Sequence, residues 1–288
     1  MLKNKADLRT LLWMVSGTGL FFYLWNMPGF NWLLYILLLY FSVAFSVFAH
    51  NHIHVPTWKN KYMNLIHSCW ITIFYGFPIF GWIPTHNKNH HRHNNKEPDY
   101  TRTYRVSEKN NLWTISIYPT ISAMAQQNPV FRYYKGLFRK NRQKFWFCTV
   151  QIIAILIWVG VAFILDWKKA LIYVIIPQQV SLNTVLVFNY IQHVHADEES
   201  DYNHSRNIVG WPLNFFLFNN GYHTIHHLKP SLHWSETPQA HRDIEHLIEP
   251  HLNEKYLFWY LLRVYILGLF IPSFRTQSMR LARKEREM

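Results

Sequence analysis

The sequence predicts an all-α integral membrane protein with four transmembrane helices, arranged as two hairpins, and a substantial water-facing part. Half of the 288 residues are hydrophobic and 18% are aromatic, which is high for a soluble protein. The mean hydropathy is nevertheless near zero, because apolar blocks alternate with long polar stretches. Four of the apolar blocks approach the roughly 20 residues that a membrane span requires. These blocks are the predicted spans 8–25, 32–49, 145–165 and 170–191.

Short connectors join the spans of each predicted hairpin. The first connector contains no charged residue, and the second is Asp166-Trp-Lys-Lys. Two further apolar blocks, 65–84 and 257–272, are interrupted by glycine, proline or arginine. We expect them to form interfacial or partly re-entrant helices. Because no repeat or low-complexity linker separates the hairpins, we interpret residues 1–288 as a single domain.

The formal net charge of +13 is distributed in a way that predicts the orientation. Lysine and arginine concentrate near both termini and between residues 85 and 144, and the positive-inside rule places these segments in the cytoplasm. Lys168 and Lys169 run against the rule, but an even number of crossings is the simplest topology. We expect an integral membrane location, which is the inner membrane if the cell is bacterial. No basic stripe is interleaved with aromatic residues, so we expect no nucleic-acid partner.

The two cysteines and the first apolar block agree with a cytoplasmic face for the site. Cys69 and Cys148 both lie in apolar stretches, so a disulfide framework is not expected and the polar face is assigned to a reducing compartment. The first apolar block lacks a small-residue cleavage site. We therefore interpret it as a span and not as a signal peptide.

Histidine is the unusual residue, with 18 copies that are clustered instead of scattered. Side chains three or four residues apart in a helix share a face, whereas adjacent ones are rotated by about 100°. In the first cluster, His50 and His54 share a face and His52 points nearly opposite. In the second, His86 and His90 are expected on one face. The nine predicted metal ligands are His50, His54, His86, His90, His91, His193, His223, His226 and His227.

The number and spacing of these histidines favour two metal ions over one. An adjacent pair such as His90 and His91 can serve two neighbouring metals, and nine imidazoles are too many for one tetrahedral zinc ion. The His-Glu-x-x-His pattern and the Glu-x-x-His pairs of carboxylate-bridged bundles are both absent from the sequence. Two five- or six-coordinate ions with open positions fit better, and iron suits imidazole ligands and oxygen chemistry.

Three motifs resemble the histidine boxes of the membrane fatty acid desaturase/hydroxylase superfamily. That family has an H-x(3–4)-H box, an H-x(2–3)-H-H box and a final H-x-x-H-H box, and this chain has all three in order. The pair Asn189 and His193 is also similar to an element of acyl-CoA desaturases and alkane hydroxylases. The resemblance runs from about Ala49 to His241. One departure is His52, which crowds the first box.

The resemblance implies a cytoplasmic helical cap that holds a di-iron site over a four-span stem. It also implies an O2-dependent oxidation, with O2 as co-substrate, of a long hydrocarbon chain carried by a membrane lipid or acyl substrate. No catalytic residue is expected beyond the metal ligands. Because ligand imidazoles donate their second nitrogen to an acceptor, nearby polar residues are candidates to hold them. These candidates are Asn189, Asp197 and Asp99.

Each turnover requires electrons from outside the chain. The sequence has no haem-binding His-Pro-Gly-Gly segment, no cysteine cluster and no dinucleotide-binding glycine motif. We therefore expect a separate electron donor of the ferredoxin, rubredoxin or cytochrome type. The basic run 132–144 is either a solvated face near the membrane or a dock for such an acidic donor.

Three functions remain open at this stage. Fatty acyl desaturation leads. Its siblings are alkane or fatty acid hydroxylation, carotenoid oxidation and oxidative decarboxylation to a terminal alkene. A non-enzymatic metal-binding membrane protein is the third hypothesis, but it predicts ionisable residues within the spans, and the predicted span cores lack acidic residues.

The remaining histidines divide into two sets. Those without a motif are expected to be solvated. Those beside the motifs can be ligands, hydrogen-bond partners of ligands or substrate contacts. The first set is His67, His204, His246 and His251, and the second is His52, His93, His195 and His233.

Overall fold

Helices make up nearly all of the regular structure in residues 1–288, all of which the computed structural model describes. The all-α class is therefore confirmed, with one pair of two-residue strands as the exception. The chain divides into two units, residues 1–84 with 129–185 and residues 85–128 with 186–288. The interpretation of the chain as one domain stays a prediction.

Long helices dominate the first part of the chain, and asparagine or aspartate side chains cap several of them. Asn31 accepts a hydrogen bond from the backbone N–H of Leu34, and Asn141 does so from Lys144. Such caps satisfy N–H groups that have no partner within the helix. The helices are α1 (Asp7–Asn26), α2 (Trp32–His54), α3 (Lys61–Tyr75), α4 (Ile79–His93), α5 (Leu112–Lys140), α6 (Arg142–Leu165) and α7 (Trp167–His193).

Three of these helices, α2, α6 and α7, are long and apolar enough to cross a membrane. They contain the predicted spans 32–49, 145–165 and 170–191. Helices α3 and α4 together form a fourth candidate that is bent by 95°, a broken span or a re-entrant loop. The predicted span 8–25 coincides with α1, which is not among the candidates by composition. The four-span topology and its orientation stay predictions.

The bend after α3 is set by Gly76. This residue ends α3 with a φ of +94°, a left-handed conformation that glycine adopts without a steric cost. A Cβ added to Gly76 would lie 2.5 Å from Cβ of Gln178. Gln178 in turn donates a hydrogen bond of 2.7 Å to the carbonyl of Ile73. The close approach fixes the C-terminal end of α3 within the first unit.

Aromatic packing and internal hydrogen bonds hold the first unit together. The rings of Phe74 and Phe45 stack at 4.8 Å, and Phe21 packs edge-on against Phe74. Polar groups are paired inside the unit, as in the 2.9 Å bond from Trp70 Nε1 to the hydroxyl of Thr18. Such pairing is what an apolar environment demands of buried polar atoms.

The second unit consists of the polar segments together with short helices. Its elements beyond α7 are β1 (Asn207–Ile208), α8 (Trp211–Phe216), α9 (His223–Leu228), α10 (Thr237–Ile244), β2 (Asn253–Glu254), α11 (Leu257–Phe270) and α12 (Met279–Glu287). Strands β1 and β2 pair in parallel. Tyr118, Tyr190 and Tyr260 are central to a core that α11 also lines.

The C-terminal helix α12 is attached to the second unit through arginine. Arg280 pairs with Glu198 at 2.9 Å and with Glu108, and its guanidinium lies 3.7 Å from the centre of the Tyr104 ring. Arg283 pairs with Asp197 at 2.8 Å. These ion pairs attach the loop that follows His193 to α12 through its acidic residues Asp197 and Glu198.

We expect Gly76→Ala to destabilise the protein strongly. The variant would impose a left-handed conformation on a residue with a side chain and a clash with Gln178, at a combined cost of about 2 kcal/mol or more. The matched control is Gly160→Ala in α6, where no atom lies within 4 Å of the new Cβ. Thermal unfolding of both variants in detergent measures the difference. A Gly76→Ala melting temperature equal to that of the control would contradict this account of the bend.

Candidate metal centre

Seven of the nine predicted ligands lie in the second unit, where they form two groups. His90, His193, His223 and His227 each offer one ring nitrogen, and these nitrogens lie within 4.8 Å of one another. The same limit holds for His86, His91 and His226. Such convergence of imidazoles is the arrangement that a metal ion with nitrogen ligands requires.

The second histidine motif is partitioned differently from the α-helical expectation. Residues 83–90 of α4 form a π-helix, in which hydrogen bonds close over five residues instead of four. His86 therefore joins His91, five residues on, and their Nε2 atoms lie 3.1 Å apart. His90 belongs to the other group. The predicted spacing puts His86 and His90 on one face, where their rings stack at 5.2 Å, but the two side chains belong to different groups.

The third motif is also divided between the two groups. His223 and His227, four residues apart in α9, belong together, whereas His226 joins His86 and His91. Both adjacent pairs, His90 with His91 and His226 with His227, therefore place one imidazole in each group.

The distances between nitrogens fit ligands of a common ion. Nε2 of His223 lies 2.9 Å from Nε2 of His193, close to the 3.1 Å of the pair in the other group. Two ligands at a right angle and about 2.1 Å from a metal are about 3.0 Å apart, whereas tetrahedral ligands are about 3.4 Å apart. Both observed distances are therefore short enough for two ligands of one metal ion.

Asp99 holds the imidazole of His90 in a defined orientation. Nδ1–H of His90 donates to a carboxylate oxygen of Asp99 at 2.7 Å, and both side chains are buried. The carboxylate also accepts from the backbone N–H of Asn95 at 2.8 Å and of Thr101 at 2.7 Å. Burial by itself raises the pKa of Asp99, but the His90 ring and these donors together hold the pKa well below its usual range. The group is therefore an anion that leaves Nε2 of His90 available to a metal.

Some histidine ring nitrogens in this group are buried without a hydrogen-bond partner, as expected for ligands of a metal ion. Nε2 of His90 and both ring nitrogens of His227 are buried without a hydrogen-bond partner. Burial, followed by the neighbouring imidazoles, lowers the pKa of His227 well below the ordinary value. The ring is therefore neutral, which is the form that binds metal, and an ion would relieve the cost of a buried polar atom without a partner.

His193 is oriented by the backbone of a neighbouring loop. Its Nδ1 lies 3.2 Å from the carbonyl of His204, which leaves Nε2 directed to His223. His204 is itself buried, and burial lowers its pKa to about 4. The expectation that His204 is solvated was wrong. The acceptor that faces His193 is the main-chain oxygen of His204, for which the sequence carries no signal.

His50 and His54 lie in the first unit at the C-terminal end of α2. Their ring centres are 5.0 Å apart, as the spacing of four residues predicts. His52 points elsewhere, with Nδ1 2.9 Å from the hydroxyl of Thr57 and Nε2 3.3 Å from that of Ser68. His52 thus belongs to a buried hydrogen-bond network.

His67 also belongs to this network and not to the surface. Its Nε2 lies 3.4 Å from the hydroxyl of Thr57, and its side chain is buried. The expectation that His67 is solvated was therefore wrong. Histidines His246 and His251 are exposed as expected.

The other polar candidates have partners other than imidazoles. Asn189 donates to the hydroxyl of Tyr118 at 2.6 Å and to the carbonyl of Thr101 at 3.3 Å. The hydroxyl of Thr101 donates a hydrogen bond to Asp99, the residue that orients His90. Asn189 therefore acts on His90 indirectly, through Thr101 and Asp99. Asp197 is engaged by Arg283.

Two other histidines beside the motifs, His195 and His233, also have partners of their own. His195 lies between the carbonyl of Glu108 at 2.9 Å and the hydroxyl of Thr276 at 2.8 Å. Nδ1 of His233 lies 2.8 Å from the hydroxyl of Ser235. Neither residue is a member of a converging group.

Comparison with known families gives one match. The model of the family described as fatty acid desaturase matches residues 24–259, which is most of the chain and includes all nine histidines. No curated protein and no solved structure matches the chain significantly.

We expect Asp99→Asn to weaken metal binding by about 10- to 100-fold, the usual effect of removing a carboxylate that holds a ligand imidazole. The amide keeps the shape but loses the charge. Asp243→Asn, at an exposed position in α10, is the matched control. Metal content after dialysis against a graded chelator series measures the change. Equal retention by the two variants would show that the carboxylate does not support the site.

Proposed function

The chain belongs to the fatty acid desaturase family, and from this premise we propose that it is an O2-dependent di-iron oxidoreductase of a long hydrocarbon chain. The proposed reaction is desaturation of a fatty acyl group. Family membership supports oxidation of fatty acyl chains in general, and the two groups of converging imidazoles support a metal-dependent reaction. The observation that carries the proposal is that the two groups of converging histidines lie within the segment that matches the family.

We propose that all nine histidines are metal ligands. One set is His90, His193, His223 and His227. The other is His86, His91 and His226, which His50 and His54 would complete. This assignment gives four and five nitrogen donors, so each iron ion would retain open positions for oxygen or solvent. The spacing of His50 and His54 on one helical face supports their inclusion.

The bound iron would supply the activation of dioxygen that is required to remove hydrogen from an unactivated C–H bond. The residues of the chain have a positioning role. Asp99 and the carbonyl of His204 each hold one imidazole by its Nδ1, so that the opposite nitrogen faces the metal position. The burial of His90, His193 and His223 excludes water from this group. Small changes in the position of a substrate carbon would then decide between alkene and alcohol.

The proposed electron donor is a separate ferredoxin, rubredoxin or cytochrome. Six basic residues at the junction of α5 and α6 are exposed and include no acidic neighbour between them. Such a surface suits an acidic partner, because opposite charges accelerate and orient the encounter. These residues are Arg132, Lys135, Arg139, Lys140, Arg142 and Lys144.

The proposed location is an integral membrane protein with its metal site facing the cytoplasm. Three apolar helices of sufficient length support the membrane location. The distribution of positive charge supports the orientation.

Cells that express the wild type are expected to contain new unsaturated acyl chains, detected by mass spectrometry of total lipids and hydrocarbons. The double variant His226→Ala with His227→Ala removes one imidazole from each group and is expected to abolish the product. His246→Ala, at an exposed histidine, is the matched control and is expected to keep it.

The product identifies the reaction. Detection of hydroxylated lipids, oxidised carotenoids or terminal alkenes would support the proposed metal site but show that the reaction is not desaturation. A change in cellular metal content without any oxidised product, with the electron donor supplied, would point to a non-enzymatic metal-binding protein and overturn the proposal.

Purified iron-loaded protein is expected not to oxidise its substrate with NADH alone. Addition of a ferredoxin with its reductase should allow turnover. If the basic surface binds the donor, high salt should lower the rate of this turnover. The assay is product formation under air. Sustained turnover with NADH as the sole addition would contradict the need for a separate donor.

A further inference from the structure

A cavity of about 490 Å³ lies in the second unit, apart from the histidine groups. Its wall includes the start of α12, part of α11 and the strand β2. No histidine of the two groups lines it. The polar and charged side chains in its wall include Arg206, His251, Asn253, Glu254, Arg263 and Arg275.

Arg206 is the unusual member of this wall. The residue is only 1% exposed, and its Nε is buried without a hydrogen-bond partner. One terminal nitrogen donates to the carbonyls of Ile191 at 2.7 Å and Val194 at 3.1 Å, and the guanidinium lies 4.8 Å from the centre of the Tyr260 ring. No carboxylate neutralises it. A buried cation without a counter-ion is costly, so an anion in the cavity would stabilise it.

The charges of the wall do not balance. Glu254 is the only acidic side chain that lines the cavity, and Arg263 forms an ion pair with it. Arg275 donates from Nε to the carbonyl of Gly268 at 2.6 Å, a neutral acceptor. Arg206 and Arg275 therefore leave two positive charges without a carboxylate partner.

The N-terminal end of α12 adds to the positive electrostatic potential in the cavity. Ser278, Met279 and Ala282 line the cavity, and the hydroxyl of Ser278 caps the helix by accepting from the N–H of Leu281. A helix N-terminus carries a partial positive charge and favours anions. This nine-residue helix thus points its positive end at the cavity that contains Arg206.

We propose that this cavity binds a phosphoryl group. Arginine presents a planar fork of donors that matches phosphate oxygens, and two uncompensated charges match a dianion. The volume exceeds that of a single phosphate, so the ligand can be a phosphate ester. The ester is either a small molecule free in water or the headgroup of a phospholipid. The proposal does not depend on the reaction proposed for the histidine site.

The test uses purified full-length protein in detergent. Titration calorimetry with inorganic phosphate and with glycerol 3-phosphate measures binding of the free anions at constant ionic strength. Native mass spectrometry of protein from lipid nanodiscs detects a retained phospholipid. The variant is Gln277→Glu, which adds a negative charge at an exposed position of the wall without removing any hydrogen bond described above. Gln127→Glu, exposed in α5 and outside the cavity, is the matched control.

Gln277→Glu is expected to weaken phosphate binding by about fivefold to tenfold, the effect of one added like charge near a partly exposed site. Gln127→Glu is expected to bind as the wild type does. Binding of the soluble anions would identify a free ligand. Retention of a phospholipid that Gln277→Glu reduces, without binding of the soluble anions, would identify a headgroup.

Two results would overturn the proposal. The first is a wild type that binds neither soluble anion and retains no phospholipid. The second is equal binding by the wild type, Gln277→Glu and Gln127→Glu, which would place the bound anion elsewhere. Since neither measurement uses the oxidation product, failure here leaves the proposed reaction untouched.

Discussion

The structure of the second unit depends on keeping imidazoles buried, neutral and directed toward one another. A buried imidazole with an unpaired nitrogen costs free energy, and several of them in contact would repel one another if they were protonated. His227 shows this constraint most clearly, since both of its ring nitrogens lack a hydrogen-bond partner and its pKa is strongly lowered. Without a metal ion, contacts in the surrounding fold must offset this free-energy cost. The hydrogen bond between His90 and Asp99 is one such contact.

Two helical devices set the positions of the ligands. The π-helical segment of α4 places His86 beside His91, whereas regular α-helical spacing in α9 places His223 beside His227. Adjacent histidines in both motifs therefore diverge toward different groups. An H-H pair is the shortest sequence that can do this, because a rotation of about 100° between neighbours separates their side chains.

Much of the fold and site could be predicted from the sequence, because membrane helices and histidine motifs follow simple periodicities. The candidate spans within α2, α6 and α7 are continuous apolar runs, and the histidines that converge in the second unit lie in or beside motifs of regular spacing. The assignment of His86 to a group could not be predicted, since a π-helix has no periodic signal in eight residues. The burial of His67 could not be predicted either. It results from Thr57 and its bond to His52, an arrangement of distant residues with no motif.

The acidic residues near the histidines show why charge in a sequence does not identify a partner. Asp197 and Asp99 looked equivalent as acceptors for imidazoles, but α12 brings Arg283 to Asp197 and leaves Asp99 to His90. The difference follows from geometry: Asp99 lies nine residues after His90 in a tight loop whose backbone donors already face it, whereas Asp197 faces the C-terminal helix. Asp99 is therefore the carboxylate that contacts one of these imidazoles directly. In the proposed site, neutral imidazole donors with one adjacent carboxylate would leave most of the charge of a bound cation uncompensated, which would favour the approach of negatively polarised oxygen.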